Sequence, residues 1–160
     1  MNPLRRQRAS ESGPKPRPAA VLLASPGLPF SDAAVAAAIR AARGGPIRVL
    51  SIAKIYGTAL GMQHPGLLPS KRELRAQEDI VADAVRSIEE AGGRARGEIV
   101  ATRNFGKTFV RAAIRYSVRD VVLVPTEGSW LRKLVEGDPA STLRRRLGED
   151  VRVHVLEKHA

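Results

Sequence analysis

Residues 120–143 read DVVLVPTEGSWLRKLVEGDPASTL, and the fold turns on how that stretch is interpreted. Residues 121–124 form an unbroken run of β-branched and aliphatic side chains. Such a run marks a strand buried on both faces, as in a parallel sheet covered by helices. Pro125 cannot donate to a ladder and ends the strand. Thr126, Glu127, Gly128 and Ser129 follow as a polar turn, and residues 130–134 have helical character. A strand, a glycine-bearing turn and a helix start bring backbone N–H groups to the carboxyl end of a sheet, where an anion can be held.

Upstream of this stretch the chain alternates in type. Residues 20–24 (AVLLA) are a short apolar run stopped by Ser25, Pro26 and Gly27, and read as the first strand. Ser31 is placed to cap a helix over about residues 32–43, with Val35 and Ile39 one turn apart on its inner face. Gly44, Gly45 and Pro46 end that helix as a glycine cap followed by proline should. Residues 47–55 (IRVLSIAKI) give a second strand, and a long connection rich in glycine and proline occupies 56–69. Ser70 and Glu73 form a capping box. The helix they open carries Leu74, Ile80, Val81, Ala84, Val85 and Ile88 at helical spacing, and Gly92 and Gly93 close it.

Residues 96–101 form a third strand of weaker pattern. Phe109, Ala112, Ala113 and Tyr116 stripe a third helix that ends near Ser117. Downstream of the central stretch, residues 141–147 are helical, and residues 151–156 (VRVHVL) alternate as a fifth strand. Strands interleaved with helices mean an α/β fold: a three-layer, open, parallel five-stranded sheet flanked by four helices, with right-handed crossovers. Residues 20–158 form this single domain.

Composition removes several function classes. The chain has 160 residues, 43% hydrophobic and 27% charged, which suits one soluble domain with a sizeable core. Cysteine is absent, so disulfides, thiolate catalysis and cysteine-ligated metal are excluded. No apolar run approaches the roughly 20 residues of a membrane span, and the N-terminus lacks the apolar core of a signal peptide. The expectation is a cytoplasmic protein without membrane contact. Net charge is +11, of which the first 20 residues contribute +4, five basic residues against one acidic. Residues 1–19, rich in arginine and proline, read as a disordered basic arm suited to sequence-independent contact with nucleic acid or another polyanion.

The element order and the turn after the fourth strand resemble the universal stress protein family over about residues 20–158. The resemblance implies a five-stranded α/β domain, a homodimer, and binding of ATP in many members. In that family the nucleotide signature after the fourth strand is glycine, two residues, glycine, about nine residues, then glycine with a hydroxyl residue. Gly128 and Gly137 match its first and last glycines. Leu131 stands at the second, Asp138 and Pro139 follow Gly137, and Ser25 replaces the aspartate that usually ends the first strand. The implied binding residues are Ala24, Ser25, Ile52, Thr126, Gly128, Ser129 and Gly137. The cofactor is ATP or AMP, bound weakly at most and not required. Leu131 puts a Cβ where backbone should approach phosphate, and Pro139 removes an N–H. An interaction module that binds no nucleotide is the alternative.

A second phosphate motif lies at residues 101–108, ATRNFGKT, which fits the relaxed pattern of alanine or glycine, four residues, then Gly-Lys-Thr. It falls between a predicted strand and a predicted helix. It would make the protein a phosphate-loop NTPase, yet no apolar strand here ends in the aspartate that would hold Mg²⁺. The blander reading is that Gly106 eases helix entry while Lys107 and Thr108 decorate the first turn. Titratable pairs with catalytic spacing are not evident, so the chain reads as a binding module without enzymatic activity. The fifth strand, alternating and unprotected by proline, is expected to pair with its copy in a homodimer.

Overall fold

A computed structural model describes residues 18–54, 69–102, 104–124 and 138–156. The arm through residue 17, most of the 56–69 connection, and the 125–137 turn with its expected 130–134 helix lie outside these residues. Nine elements alternate along the described chain: β1 (Val21–Ser25), α1 (Asp32–Ala42), β2 (Pro46–Lys54), α2 (Lys71–Glu90), β3 (Arg94–Thr102), α3 (Phe105–Arg115), β4 (Asp120–Leu123), α4 (Asp138–Leu147) and β5 (Arg152–Val155). All strand pairs are parallel, in the order β3-β2-β1-β4-β5.

The central run is buried as its composition requires: Val121, Val122 and Leu123 have no exposed surface. Alternate residues feed opposite faces. Leu22, Ala24, Leu50, Ile52, Val121 and Leu123 pack against Phe109, Ala113 and Tyr116 on the α3 side, where Leu147 of α4 joins them. Val21, Leu23, Ile47, Val49 and Val122 pack against Ala34, Val35 and Ala38 of α1 and Val81, Ala84 and Ile88 of α2. The sheet is therefore covered on both faces.

Helix ends follow the chemistry of their sequences. The Ser31 hydroxyl accepts from Ala34 N–H at 3.1 Å. Ser70 and Glu73 cap each other reciprocally, at 2.7 and 3.1 Å. Pro139 lies in the first turn of α4, where its missing N–H costs no intrahelical bond. Close packing of α2 on the edge strand needs Gly97, because a Cβ there would stand 2.2 Å from a Val81 methyl.

Three details differ from the sequence reading. Leu74, assigned to the inner stripe of α2, is 36% exposed, since burial begins only at Val81. Strand β3 is longer than the 96–101 pattern, because its ends pair with β2 through Pro46↔Arg94 and Lys54↔Thr102 despite their polarity. Ala19, placed in the arm, is buried, and its N–H donates to Tyr116 O at 2.9 Å.

Tyr116 ties α3 to the edge of the sheet. Its hydroxyl donates to Glu98, and the Arg48 guanidinium lies 4.2 Å from the ring centre. Burial raises the phenol pKa above its ordinary 10.0, helped by the hydrogen bond and charge of Glu98 and opposed by Arg48 and Arg115. A raised folded-state value means the stabilisation is whole below the unfolded value and is lost as pH climbs through the folded one. Stability should therefore fall above about pH 10. Tyr116→Phe should cost about 1.5 kcal/mol at neutral pH, the low end for a bond to a charged group, because Glu98 keeps some contact with water. Urea midpoints at pH 8 and pH 11 check this: the gap between parent and variant should shrink at the higher pH.

Candidate functional site

From β1 the chain moves outward to β2 and β3, then returns to the other side of β1 for β4 and β5. The order reverses between β1 and β4, and open α/β sheets hold ligands at that point, beyond the carboxyl ends of the strands. Ala24 and Leu123 are register partners there, and Val124 N–H donates to Ala24 O at 3.0 Å.

Of the seven residues expected at the site, three are described. Ala24 and Ile52 are 0% and 1% exposed and belong to the core beneath α3, so their side chains have no polar group to offer a ligand. Ser25 ends β1 and is also fully buried. Its hydroxyl donates to Leu28 O at 2.6 Å and accepts from Leu28 N–H at 2.9 Å. One lone pair remains, whereas a carboxylate at this place would offer several. Thr126, Gly128, Ser129 and Gly137 lie outside the described residues.

No local pattern betrays the neighbouring network. Ser51 is the register partner of Ser25 and equally buried. Its hydroxyl donates to Gln77 Oε1 of α2, and Gln77 Nε2 donates to Gly27 O at 3.1 Å. Gly27 has φ of +81°, and a Cβ there would meet Gln77 Nε2 at 3.3 Å. The network fixes the β1–α1 turn against α2 at the carboxyl ends of β1 and β2. Partners 26 and 50 residues apart have no local spacing to betray them.

The second phosphate motif takes another shape. Ala101 and Thr102 end β3, and α3 begins at Phe105, so only residues 103 and 104 separate strand from helix. A phosphate-wrapping loop needs more free backbone than that. The Asn104 side chain already accepts from Lys107 N–H at 3.0 Å, capping the donor that an anion would use. Thr108 donates its hydroxyl to Thr102 Oγ1 at 2.9 Å. The NTPase alternative therefore loses its cradle, as the blander reading expects. Lys107→Ala should leave nucleotide affinity within about threefold, about 0.65 kcal/mol; calorimetric titration showing a hundredfold loss would reverse this assignment.

With strand order and crevice in view, comparison with solved structures identifies the architecture. A protein from the universal stress protein family of Burkholderia pseudomallei superposes with a TM-score of 0.56 at 17% identity, covering 86% of this chain and 96% of that one. The fold is that of the universal stress proteins. A universal stress protein from Archaeoglobus fulgidus in complex with dAMP is similarly placed, with a TM-score of 0.55, 16% identity and 88% and 98% coverage. A universal stress protein in complex with cAMP gives 0.52, 14%, 88% and 99%. No family model matches the chain, and no curated protein matches its sequence.

At the far edge of this universal-stress-protein-like sheet, Val153 and Val155 pack toward the α3 side while Arg152 and His154 alternate outward. His154 Nε2 lies 3.0 Å from Asp120 Oδ1 on the adjoining strand, so the imidazole has a carboxylate partner within its own chain. Among the described residues no group of three or more His, Asp or Glu side chains is placed to hold a metal, and no helix is long and apolar enough to cross a membrane.

Proposed function

We propose that the protein is a binding and regulatory module of universal stress protein type that takes an adenine nucleotide weakly at the carboxyl edge of its sheet. The observation that carries this reading is the reversal of strand order between β1 and β4, in a fold shared with proteins solved with dAMP and cAMP. The base and ribose would lie over Ala24 and Ser25, with Ile52 beneath. Thr126, Gly128 and Ser129 would meet the phosphate, and Gly137 would close the far side. Weakness follows from Ser25, whose hydroxyl is committed to Leu28, and from Leu131 at the place of the second glycine. AMP suits such a reduced site better than ATP, because fewer charges depend on missing backbone donors.

The same Ser25 turn favours a second reading, a module that works through protein contacts with no nucleotide. In either case the protein acts by binding, without catalysis, as a cytoplasmic homodimer joined through β5, and its basic arm touches polyanions. Thermal-shift titration with AMP, cAMP and ATP separates the two readings. A ligand at about 100 times its dissociation constant stabilises by about 2.7 kcal/mol, so a melting temperature that rises with AMP supports the nucleotide reading. A melting temperature flat to millimolar concentrations of all three would leave the nucleotide-free module.

A further inference from the structure

At the amino ends of β1, β2 and β3, opposite the proposed nucleotide site, a cleft of about 250 Å³ is lined by Pro18, Ala19, Pro46, Ile47 and Ala95 together with Arg48, Arg94 and Arg96. Arg48 and Arg96 are register partners on adjoining strands, and Arg94 pairs with Pro46 at the same end. Like charges set side by side on neighbouring strands repel. Among the described residues no carboxylate forms an ion pair with any of the three. The nearby acid, Glu98, is engaged elsewhere: one oxygen accepts from Tyr116 and the other lies 3.7 Å from Arg115.

We infer that this cleft is a second anion site, built to receive a phosphate group. The Arg48 guanidinium carbon lies 4.2 Å from the centre of the Tyr116 ring, a contact that uses the face of the guanidinium and none of its N–H groups. Arg94 gives one N–H to Gly44 O at 3.2 Å and keeps others in reserve. Arg96 is exposed and has no partner among the described residues. Planar guanidinium forks match the oxygens of a phosphate, and a dianion offsets three positive charges better than a carboxylate does. The volume falls below the roughly 300–1,000 Å³ of pockets that enclose whole ligands. It therefore fits a phosphoryl head and not an entire nucleotide. Pro18 in the cleft wall is also where the arm joins the domain, and residues 1–17 carry Arg5, Arg6, Arg8, Lys15 and Arg17. Such a phosphoryl head is found on a free polyphosphate and along a nucleic-acid backbone.

The test titrates the full chain at low salt with inorganic pyrophosphate and, separately, with a ten-residue oligothymidylate. Arg96→Ala should weaken pyrophosphate binding at least tenfold, and Arg96→Lys should restore part of it. Arg75→Ala removes the same charge from an exposed position on α2 and should change affinity less than twofold. If the oligonucleotide loses affinity in parallel, the natural phosphate belongs to nucleic acid; if it does not, the site serves a free polyphosphate. Equal losses in Arg96→Ala and Arg75→Ala would reduce the effect to diffuse charge and overturn the proposal, as would a parent protein that binds no pyrophosphate at millimolar concentration. Far-UV circular dichroism checks that the variants stay folded, which the exposure of Arg96 favours.

Discussion

Val153→Pro should break the proposed β5 homodimer into monomers while leaving the domain folded. Arg152 N–H donates to Arg119 O at 2.9 Å and Leu156 N–H to Leu123 O at 3.3 Å, so these donors face β4. Residues two apart in a strand point their backbone groups the same way. The N–H groups of Val153 and Val155 therefore face the open edge of the sheet. Proline at Val153 removes a donor that the β4–β5 ladder does not use, and proline is tolerated at such edge positions. What it deletes is a bond that a second copy would accept across a two-fold axis. Arg152 and His154 are the elements that could oppose the pairing, and the Asp120 carboxylate 3.0 Å from His154 Nε2 gives that ring a partner on β4. Light scattering at micromolar concentration decides the matter. A parent already monomeric would remove the β5 dimer, and a variant that stays dimeric would move the interface elsewhere.

Gly128→Val should abolish nucleotide binding without a comparable loss of stability. A glycine lets backbone N–H groups approach phosphate closely, and a β-branched side chain interposes two methyl groups in that approach. The two core clusters among the described residues are built around β1, β2, β4, α1, α2 and α3. Calorimetry with AMP should show affinity falling beyond detection, while the urea midpoint without ligand moves little. An AMP affinity equal to that of the parent would place the ligand away from the turn.

The fold could be read in advance because its central strands are chemically extreme. Residues 121–124 and 20–24 contain nothing polar, and only a doubly covered sheet buries such runs. Capping residues were equally legible, since Ser31, Ser70 and Glu73 act within three or four positions of their targets. Strand order was not, because which strand lies beside β1 is decided by packing between distant segments. The edge strand β3 read weakly for a physical reason: Arg94, Arg96 and Glu98 occupy a face that α3 leaves partly open. Site chemistry was the least legible. The hydroxyl of Ser25 could be counted but not its commitment to Leu28, and Gln77 looked like any polar residue on a solvated helix face. The Gly-Lys-Thr motif shows the converse, a local pattern whose meaning depends on loop length. With α3 starting at Phe105, Asn104 caps the helix and the phosphate cradle is gone.

The most direct test of the proposed function is a backbone-amide NMR titration of the full-length protein with AMP. The expected result is saturable shifts clustered at Ala24, Ser25 and residues 126–129, at the reversal of strand order, with Lys107 and Thr108 unmoved. Shifts centred on Lys107, or confined to Arg94 and Arg96 at the opposite end of the sheet, would contradict a nucleotide site at the carboxyl edge.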